Sequence, residues 1–141
     1  EANNNFSNFE NIMNVCKYLK IHNKILELPD GYNTVIKIGN VDDDLYYMLA
    51  LAKIFLKKSR IILIEDIFDK LTRFYQDLVF NILINLKKEH TIILITKNKK
   101  IISNENIDSI YFFNGNELNC FGNYQKLYND SEMYRNYYEK L

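Results

Sequence analysis

Glu65 and Asp66 have the side chains and the position that most clearly suit chemistry, because they follow an aliphatic run at residues 61–64. A run this short and this rich in isoleucine predicts a strand of a parallel sheet that is buried on both faces. In open α/β sheets, ligands bind beyond the carboxyl ends of the strands. Two carboxylates at such a strand end are therefore placed for metal or phosphate chemistry.

A second acidic group, Asp42, Asp43 and Asp44, stands directly before the apolar face of a predicted helix. Carboxylates at a helix start are stabilised by the positive end of the helix dipole. Consecutive side chains there point in different directions, so we favour a solvated helix cap, with a divalent-metal site as the alternative. Lys97 follows TIILIT, residues 91–96, whose central four residues are aliphatic, and so lies at the carboxyl end of a second predicted strand.

The composition suits one globular domain, since 141 residues with 48% hydrophobic content can build a single core. Eighteen basic and eighteen acidic residues balance, so no overall field favours nucleic acid or an anionic membrane. Cys16 and Cys120 lack CxxC spacing, which predicts free thiols. No apolar run approaches the roughly 18 residues of a membrane span and the first residues are polar, so we expect neither insertion nor secretion of the chain by itself.

The elements that carry these residues follow from periodicity and turn signals. Apolar residues at helical spacing predict a first helix ending near Ile21, and a Pro-Asp-Gly turn follows. A strand, a helix and a strand in succession predict a right-handed parallel crossover, and Asn114-Gly115 predicts a β-hairpin. The predicted segments are helix 45–56 followed by Lys57 and Lys58, strand 61–64, helix 70–88 with Phe74 inward, strand 91–96, hairpin strands 109–113 and 117–121, and helices 124–128 and 132–140.

Four segments, in this order, have the character of known family motifs. ILELPDGYNT (residues 25–34) is similar to an LPxGYDT turn, and LALAKIFLKKSRIILIED (49–66) is similar to a signature helix running into a Walker B strand. TIILITK (91–97) is similar to a switch strand, and SIYFFNGNELNCFGNYQKL (109–127) to a hairpin and helix of the type IVVLDDGRIVEQGTHEEL. Together they resemble the C-terminal half of the nucleotide-binding domain of an ABC transporter, of the exporter type.

The resemblance implies an α/β fold that is part of the P-loop NTPase fold of ABC ATPases. Parallel strands with a crossover helix would be followed by a C-terminal β-hairpin and helices. We expect a single domain over residues 1–141, in which 1–58 form part of the helical subdomain with the signature-like helix. Residues 59–141 would form the Walker B strand, the switch strand, the hairpin and the C-terminal helices.

The resemblance also implies partners and cofactors. The intact family domain binds ATP and Mg²⁺ at a dimer interface with a second nucleotide-binding domain, as a homodimer or heterodimer, and acts on a transmembrane domain. It implies a cytoplasmic location at the inner face of a membrane and no nucleic-acid partner. In the matching positions, Asp66 would be the general base, Lys97 a catalytic contact to phosphate and Glu65 the metal ligand, while Asp42, Asp43, Asp44 and Asp69 occupy cofactor-binding segments.

The nucleotide-contacting motifs depart from the family pattern. No GxxxxGK[ST] phosphate loop occurs, and the chain has only four glycines. The place of the LSGGQ signature is taken by Val41-Asp42-Asp43-Asp44-Leu45, whose carboxylates would repel a phosphate, by about 4 kcal/mol for a pair of like charges 4 Å apart at an effective dielectric of about 20. Phosphate docking there would need an intervening cation.

The catalytic positions depart as well. The Walker B order Asp-Glu is exchanged to Glu65-Asp66, which shortens the base and crowds the metal, and misplacements of about an ångström can cost about 10²-fold in rate. The switch histidine is replaced by Lys97, and the SALD segment reads Asp69-Lys70-Leu71-Thr72. His22 and His90 are expected to pack or to lie at the surface. Slow or no hydrolysis is expected, and the chain alone is expected to be inactive.

Three functional hypotheses remain open at this point. The first is an energy-coupling portion of an ABC transporter, in which ATP is held mainly by the missing N-terminal half. The second is a non-catalytic scaffold or regulatory module that keeps the fold for dimerisation, and the third is a metal-dependent hydrolase using Glu65, Asp66 and Asp69. Because a partial sheet would leave edges and apolar faces uncovered, we also expect the chain to self-associate.

Overall fold

The computed structural model describes residues 2–57 and 59–141, with side chains from Asn8 onwards. Lys58, which was predicted to follow the signature-like helix, lies outside the described residues. The elements are α1 (Ala2–Tyr18), α2 (His22–Leu26), α3 (Asp43–Lys57), β1 (Ile61–Glu65), α4 (Arg73–Leu86), β2 (Thr91–Ile95), α5 (Lys99–Ile102), β3 (Ile110–Asn114), β4 (Glu117–Gly122), α6 (Tyr124–Asp130) and α7 (Glu132–Lys140). Short 3-10 turns occur at Gly31–Asn33 and Phe68–Lys70.

The predicted elements are present, with differences at their ends. α1 stops at Tyr18 because Lys20 adopts the left-handed conformation, with φ of 60°, and this turn separates α1 from the short helix α2, which was not predicted. α4 begins at Arg73 because Lys70, the predicted first residue, ends a 3-10 turn, and Leu71 and Thr72 have an extended backbone. α5 was also missed, since four residues are too few to show helical periodicity.

The chain forms two compact units, Glu1–Ile93 and Leu94–Leu141. In the first unit, α1 packs against α3, and the apolar faces of the helices meet one face of β1. Its core contains the buried side chains Leu19, Ile21, Ile25, Met48, Leu51, Ile62, Ile64, Phe68, Val79 and Ile82. This core positions the carboxyl end of β1, where the acidic residues lie.

β1 and β2 form a two-stranded parallel sheet, as the crossover predicted, but the prediction that these strands are buried on both faces is wrong. Ile62 and Ile64 are buried, whereas Ile61 and Leu63 are 63% and 62% exposed and Ile93 is 49% exposed. The helices of this chain cover one face of β1, and its other aliphatic face is open. Phe74, predicted to face inward from α4, is also exposed, whereas Tyr75 beside it is buried.

The second unit is built around the predicted hairpin. β3 and β4 pair antiparallel through a two-residue turn in which Gly115 has a φ of 62°, a conformation that glycine adopts without steric cost. Phe112 lies 5.4 Å from Tyr134 and 5.2 Å from Tyr137 between ring centroids, so α7 covers one face of β3. α6 and α7 confirm the two predicted C-terminal helices and are capped by Asn123 and Ser131.

Cys16 is buried, Cys120 is half-buried, and both are free thiols, as the spacing predicted. Burial raises the pKa of the Cys16 thiol and outweighs the opposing effect of a hydrogen bond with Tyr32. Cys16 is therefore a packing residue rather than a reactive nucleophile. Among the described helices, none has the length and apolar character needed to cross a bilayer.

Candidate functional site

The candidate site begins at the carboxyl end of β1. Glu65 is the last residue of the strand, and Asp66 follows it in the left-handed conformation, with φ of 47°. Asp69 lies in the 3-10 turn Phe68–Lys70. All three side chains are exposed, so solvent, a cation or a partner can reach their carboxylates.

The connection between β1 and α4, residues 66–72, is held firmly although its acids are exposed. Phe68 and Leu71 are buried in the core of the first unit. The Gln76 side chain of α4 donates two hydrogen bonds back to the connection, to the carbonyl oxygens of Phe68 at 2.7 Å and Leu71 at 2.9 Å. The segment that carries Asp66 and Asp69 therefore has a defined backbone course.

Asp42 forms the predicted helix cap of α3. Its Oδ1 accepts a hydrogen bond from the Leu45 backbone N–H at 2.7 Å, and its Oδ2 lies 3.1 Å from Lys24 Nζ in α2. Burial raises the pKa of Asp42, but the Leu45 hydrogen bond and the Lys24 ammonium outweigh it and lower the pKa below its ordinary value. Asp42 stays ionised at neutral pH and is engaged within the chain.

Asp44 corrects the prediction of a solvated acidic cap, because its residue surface is only 8% exposed. Its two carboxylate oxygens each accept a hydrogen bond at 2.8 Å, one from the Thr72 backbone N–H and one from the Thr72 hydroxyl. A buried carboxylate is stable only when hydrogen bonds replace its hydration, and Thr72 supplies two. Asp43, between these two residues, is exposed as predicted.

Lys97 follows β2 in the second unit and is exposed. The two histidines have packing roles, as expected: His22 Nδ1 lies 2.9 Å from the Tyr32 hydroxyl, and His90 Nδ1 lies 2.7 Å from the Ser59 carbonyl oxygen. His90 thus holds the turn that enters β1, at the opposite end of the strand from Glu65.

The acids at the two places differ in what they can bind. At the start of α3, the Leu45 N–H is already bonded to Asp42, and three carboxylates stand together, so this helix start does not fit a phosphate. At the end of β1, Glu65 and Asp66 offer exposed carboxylate oxygens, which Mg²⁺ accepts one or two at a time when substrate phosphates complete its shell. The strand end therefore offers ligands of the type that Mg²⁺ accepts.

The described residues do not build a metal site by themselves. Within residues 2–57 and 59–141, no group of three or more His, Cys, Asp or Glu side chains converges as a metal-binding cluster would. Glu65, Asp66 and Asp69, the set assigned to the hydrolase hypothesis, do not form such a group.

Sequence reasoning missed Thr72, Lys24 and Gln76, the residues that bond the acidic segments. Thr72 and Asp44 are 28 residues apart, so no local motif links them. The local sequence held only one signal for Thr72. It stands directly before a helix, where an N-cap hydroxyl is common, but its hydroxyl bonds to Asp44 and not to its own helix.

The chain is similar in sequence to parts of several ABC transporter proteins. No protein-family model matches the chain. A probable ABC transporter ATP-binding/permease protein of Haemophilus influenzae is 34% identical over 89 residues, which are 62% of this chain and 16% of that protein. The ABC transporter ATP-binding protein YfiB of Bacillus subtilis is 27% identical over 94% of this chain and 23% of its own length.

Further similarities agree with these relatives. P-glycoprotein 14 of Caenorhabditis elegans is 27% identical over 84% of the chain and 9% of its own length. Among solved structures, a bacterial Atm1-family ABC exporter with ATP bound superposes with a TM-score of 0.81 at 20% identity, over 93% of this chain and 23% of that chain. The chain thus spans less than a quarter of each of these proteins, and the resemblance stated from the sequence is confirmed.

Proposed function

We propose that this chain, which is homologous to ABC transporter ATP-binding proteins, is a degenerate portion of their nucleotide-binding domain that couples ATP binding to transport across a membrane. The observation that carries the proposal is the exposed pair Glu65 and Asp66 at the carboxyl end of a parallel strand, in a chain whose fold matches part of an ABC exporter. This is where an α/β sheet binds its ligand.

The roles of individual residues follow from their positions. When bound, Mg²⁺ would neutralise charge on the phosphates and ATP would supply the phosphoryl bond that is cleaved. Glu65 would hold the metal, Asp66 would orient and deprotonate the attacking water, and Lys97 would contact phosphate as a cation. Asp69 would meet the partner domain near the nucleotide, while the aromatic residue that stacks on adenine and the phosphate loop would be supplied by sequence that this chain does not contain.

The proposed assembly includes two partners. A second nucleotide-binding domain would close the nucleotide site, and a transmembrane domain, in the same polypeptide or in another subunit, would convert the closure into substrate movement. The chain would then work at the cytoplasmic face of a membrane. The Haemophilus relative, named an ATP-binding/permease protein, supports such a combination.

Hydrolysis at this site would be slow. Asp66 is one methylene shorter than the glutamate of the family pattern, and its left-handed backbone fixes the direction in which it leaves the strand. Small misplacements of a catalytic group cost about 10²-fold in rate. ATP binding, rather than rapid turnover, would then drive the conformational work.

A second candidate function is a non-catalytic scaffold that keeps the fold for dimerisation with a competent domain. The state of Asp42 and Asp44 favours it, because both carboxylates are engaged inside the chain by Leu45, Lys24 and Thr72. A signature-like helix start that binds its own chain is not free to bind a partner's nucleotide.

Exchange of the two acids separates these functions. In a polypeptide that contains both this chain and a phosphate loop, the double variant E65D/D66E restores the family order, and the single variant E65D is its matched control. We expect wild type to bind ATP and hydrolyse it slowly, and the double variant to hydrolyse it about 10- to 100-fold faster. ATP binding with hydrolysis at background in every variant would favour the scaffold, and absence of ATP binding would overturn the proposal.

A further inference from the structure

Asp44 joins two elements that the chain keeps far apart in sequence. It belongs to the first turn of α3, and both of its carboxylate oxygens are bonded at 2.8 Å to Thr72, at the other end of the connection from Glu65. Hydrogen bonds to an ionised acceptor are about twice as strong as neutral ones. The contact is thus a short, two-pronged attachment between α3 and the connection.

Thr72 is well placed to pass a displacement of α3 on to the connection. It is the N-cap residue of α4, with an extended backbone (φ −63°, ψ 156°), but its side chain makes no capping bond to its own helix. Its hydroxyl donates a hydrogen bond to Asp44 instead. An N-cap side chain usually bonds to its own helix, but the Thr72 side chain bonds to α3. This bond fixes the direction in which the connection enters α4.

The rest of the connection is stiff enough to carry a displacement to the acids. Lys70 N–H and Leu71 N–H bond within the 3-10 turn, to Ile67 and Phe68 carbonyl oxygens at 3.1 and 3.2 Å. Gln76 of α4 fastens the carbonyls of Phe68 and Leu71 from the other side. These bonds involve residues 67, 68, 70, 71 and 72 of the connection, so we expect it to follow a displacement of Thr72.

From these contacts we propose that Asp44 is a positioning residue: it ties the start of α3 to residues 66–72, so that the exposed carboxylates of Asp66 and Asp69 keep a fixed place relative to α3. The attachment itself does not depend on the proposed function. Its role in nucleotide chemistry does, since α3 begins where the signature-like segment would meet a partner domain. A partner that moves the start of α3 would, through Asp44 and Thr72, move Asp66 and Asp69.

Hydrogen exchange of the chain tests the attachment directly, without nucleotide. In D44A, the amides of Lys70, Leu71 and Thr72 should exchange at least about tenfold faster, the effect of losing hydrogen bonds to a charged group. Amides of the β3–β4 hairpin in the second unit serve as the internal reference and should not change.

Conservative variants separate positioning from general stability. D44N can still accept from Thr72 N–H and donate to its hydroxyl oxygen, so exchange should stay within about twofold of wild type. T72V loses the hydroxyl bond and should raise exchange of these amides at least about threefold, while T72S, its matched control, should not.

Two results would overturn the proposal. One is unchanged exchange at residues 70–72 in both D44A and T72V. The other is a uniform rise over α3, α4 and the connection that matches the fall in global stability measured by urea unfolding, which would make Asp44 a stability residue alone. Failure of ATP binding in the longer polypeptide, with the local exchange pattern present, would overturn the proposed function and leave the positioning role standing.

Discussion

Lys24 of α2 forms an ion pair with Asp42 at the start of α3, with 3.1 Å between Nζ and Oδ2. The same ammonium lies 5.3 Å from the ring centroid of Tyr75 in α4. This lysine of α2 therefore contacts both the start of α3 and α4 around the acidic segment. This pair and the Asp44–Thr72 contact show how the chain uses its unusual acids: they bind their own neighbours.

The cap made by Asp42 predicts a graded series of stabilities. Asp42→Ala removes the bond to Leu45 and should cost about 1 kcal/mol of unfolding free energy. Asp42→Asn, the matched variant, keeps a good cap and loses only a partly exposed ion pair, so it should cost less than about 0.5 kcal/mol. Urea unfolding at neutral pH measures both, and equal losses in the two variants would contradict the capping role.

The same residue predicts a pH dependence. Because the pKa of Asp42 is lowered in the folded chain, its contribution to stability is present above its unfolded pKa of about 3.9 and is lost as the pH falls through the lower folded value. Stability should therefore decline below about pH 4, and the decline should be shallower in Asp42→Asn. Thermal melts between pH 2 and pH 6 compare them, and identical profiles would count against the ion pair and cap.

Tyr134 predicts a stabilising substitution in the second unit. Its hydroxyl is buried and, among the described residues, has no hydrogen-bond partner, and burial raises its pKa to about 12. Tyr134→Phe removes an unsatisfied polar atom and should raise stability by about 1 kcal/mol. The control Tyr75→Phe loses a real bond, from the Tyr75 hydroxyl to the Lys20 carbonyl at 3.0 Å, and should lower it. A destabilised Tyr134→Phe would show that the hydroxyl has a partner.

The left-handed conformation of Asp66 predicts that two variants that both lose the carboxylate differ in stability. At a φ of 47°, asparagine and glycine are tolerated but alanine costs about 1 kcal/mol. Asp66→Asn should thus fold as stably as wild type while losing the carboxylate, whereas Asp66→Ala should be less stable. Calorimetric melting of the three proteins tests this order. Equal stability of the alanine and asparagine variants would contradict a left-handed Asp66.

The open aliphatic face of β1 predicts self-association of the isolated chain. Ile61 and Leu63 expose well over half of their surface, and a chain of zero net charge has no overall repulsion between copies. The double variant I61T/L63T places threonine, a β-branched residue that suits a strand, at both positions and should shift light scattering toward monomer. Val35→Thr changes an exposed aliphatic side chain in a loop and should have no effect. A strictly monomeric wild type would contradict the prediction.

Much of the fold could be predicted from the sequence because the signals are local. The Asn114-Gly115 turn specified the hairpin, and the helical spacing of apolar residues specified α3 and the C-terminal helices. Burial was harder: the run at residues 61–64 is equally aliphatic at every position, so nothing in it distinguishes Ile62, which is covered, from Leu63, which is open. That difference depends on which layers of the domain the chain contains.

The candidate site divides in the same way. The acids at the end of β1 were found because strand type and position predict where a ligand binds, whereas the engagement of Asp44 by Thr72 depends on tertiary packing across 28 residues. The local sequence around Asp44, a run of acids before a helix, predicted a solvated side chain. The structure shows that Asp44 is buried, so that prediction was wrong.

The measurement that tests the central claim most directly is a calorimetric titration of the 141-residue chain with Mg-ATP. If the chain is a portion of an ABC nucleotide-binding domain whose phosphate loop lies elsewhere, and if the start of α3 does not fit phosphate, no saturable binding tighter than about 1 mM is expected. Saturable one-site binding at about 1 µM that is lost in Asp66→Asn would contradict the account, because the chain would then hold a complete nucleotide site of its own.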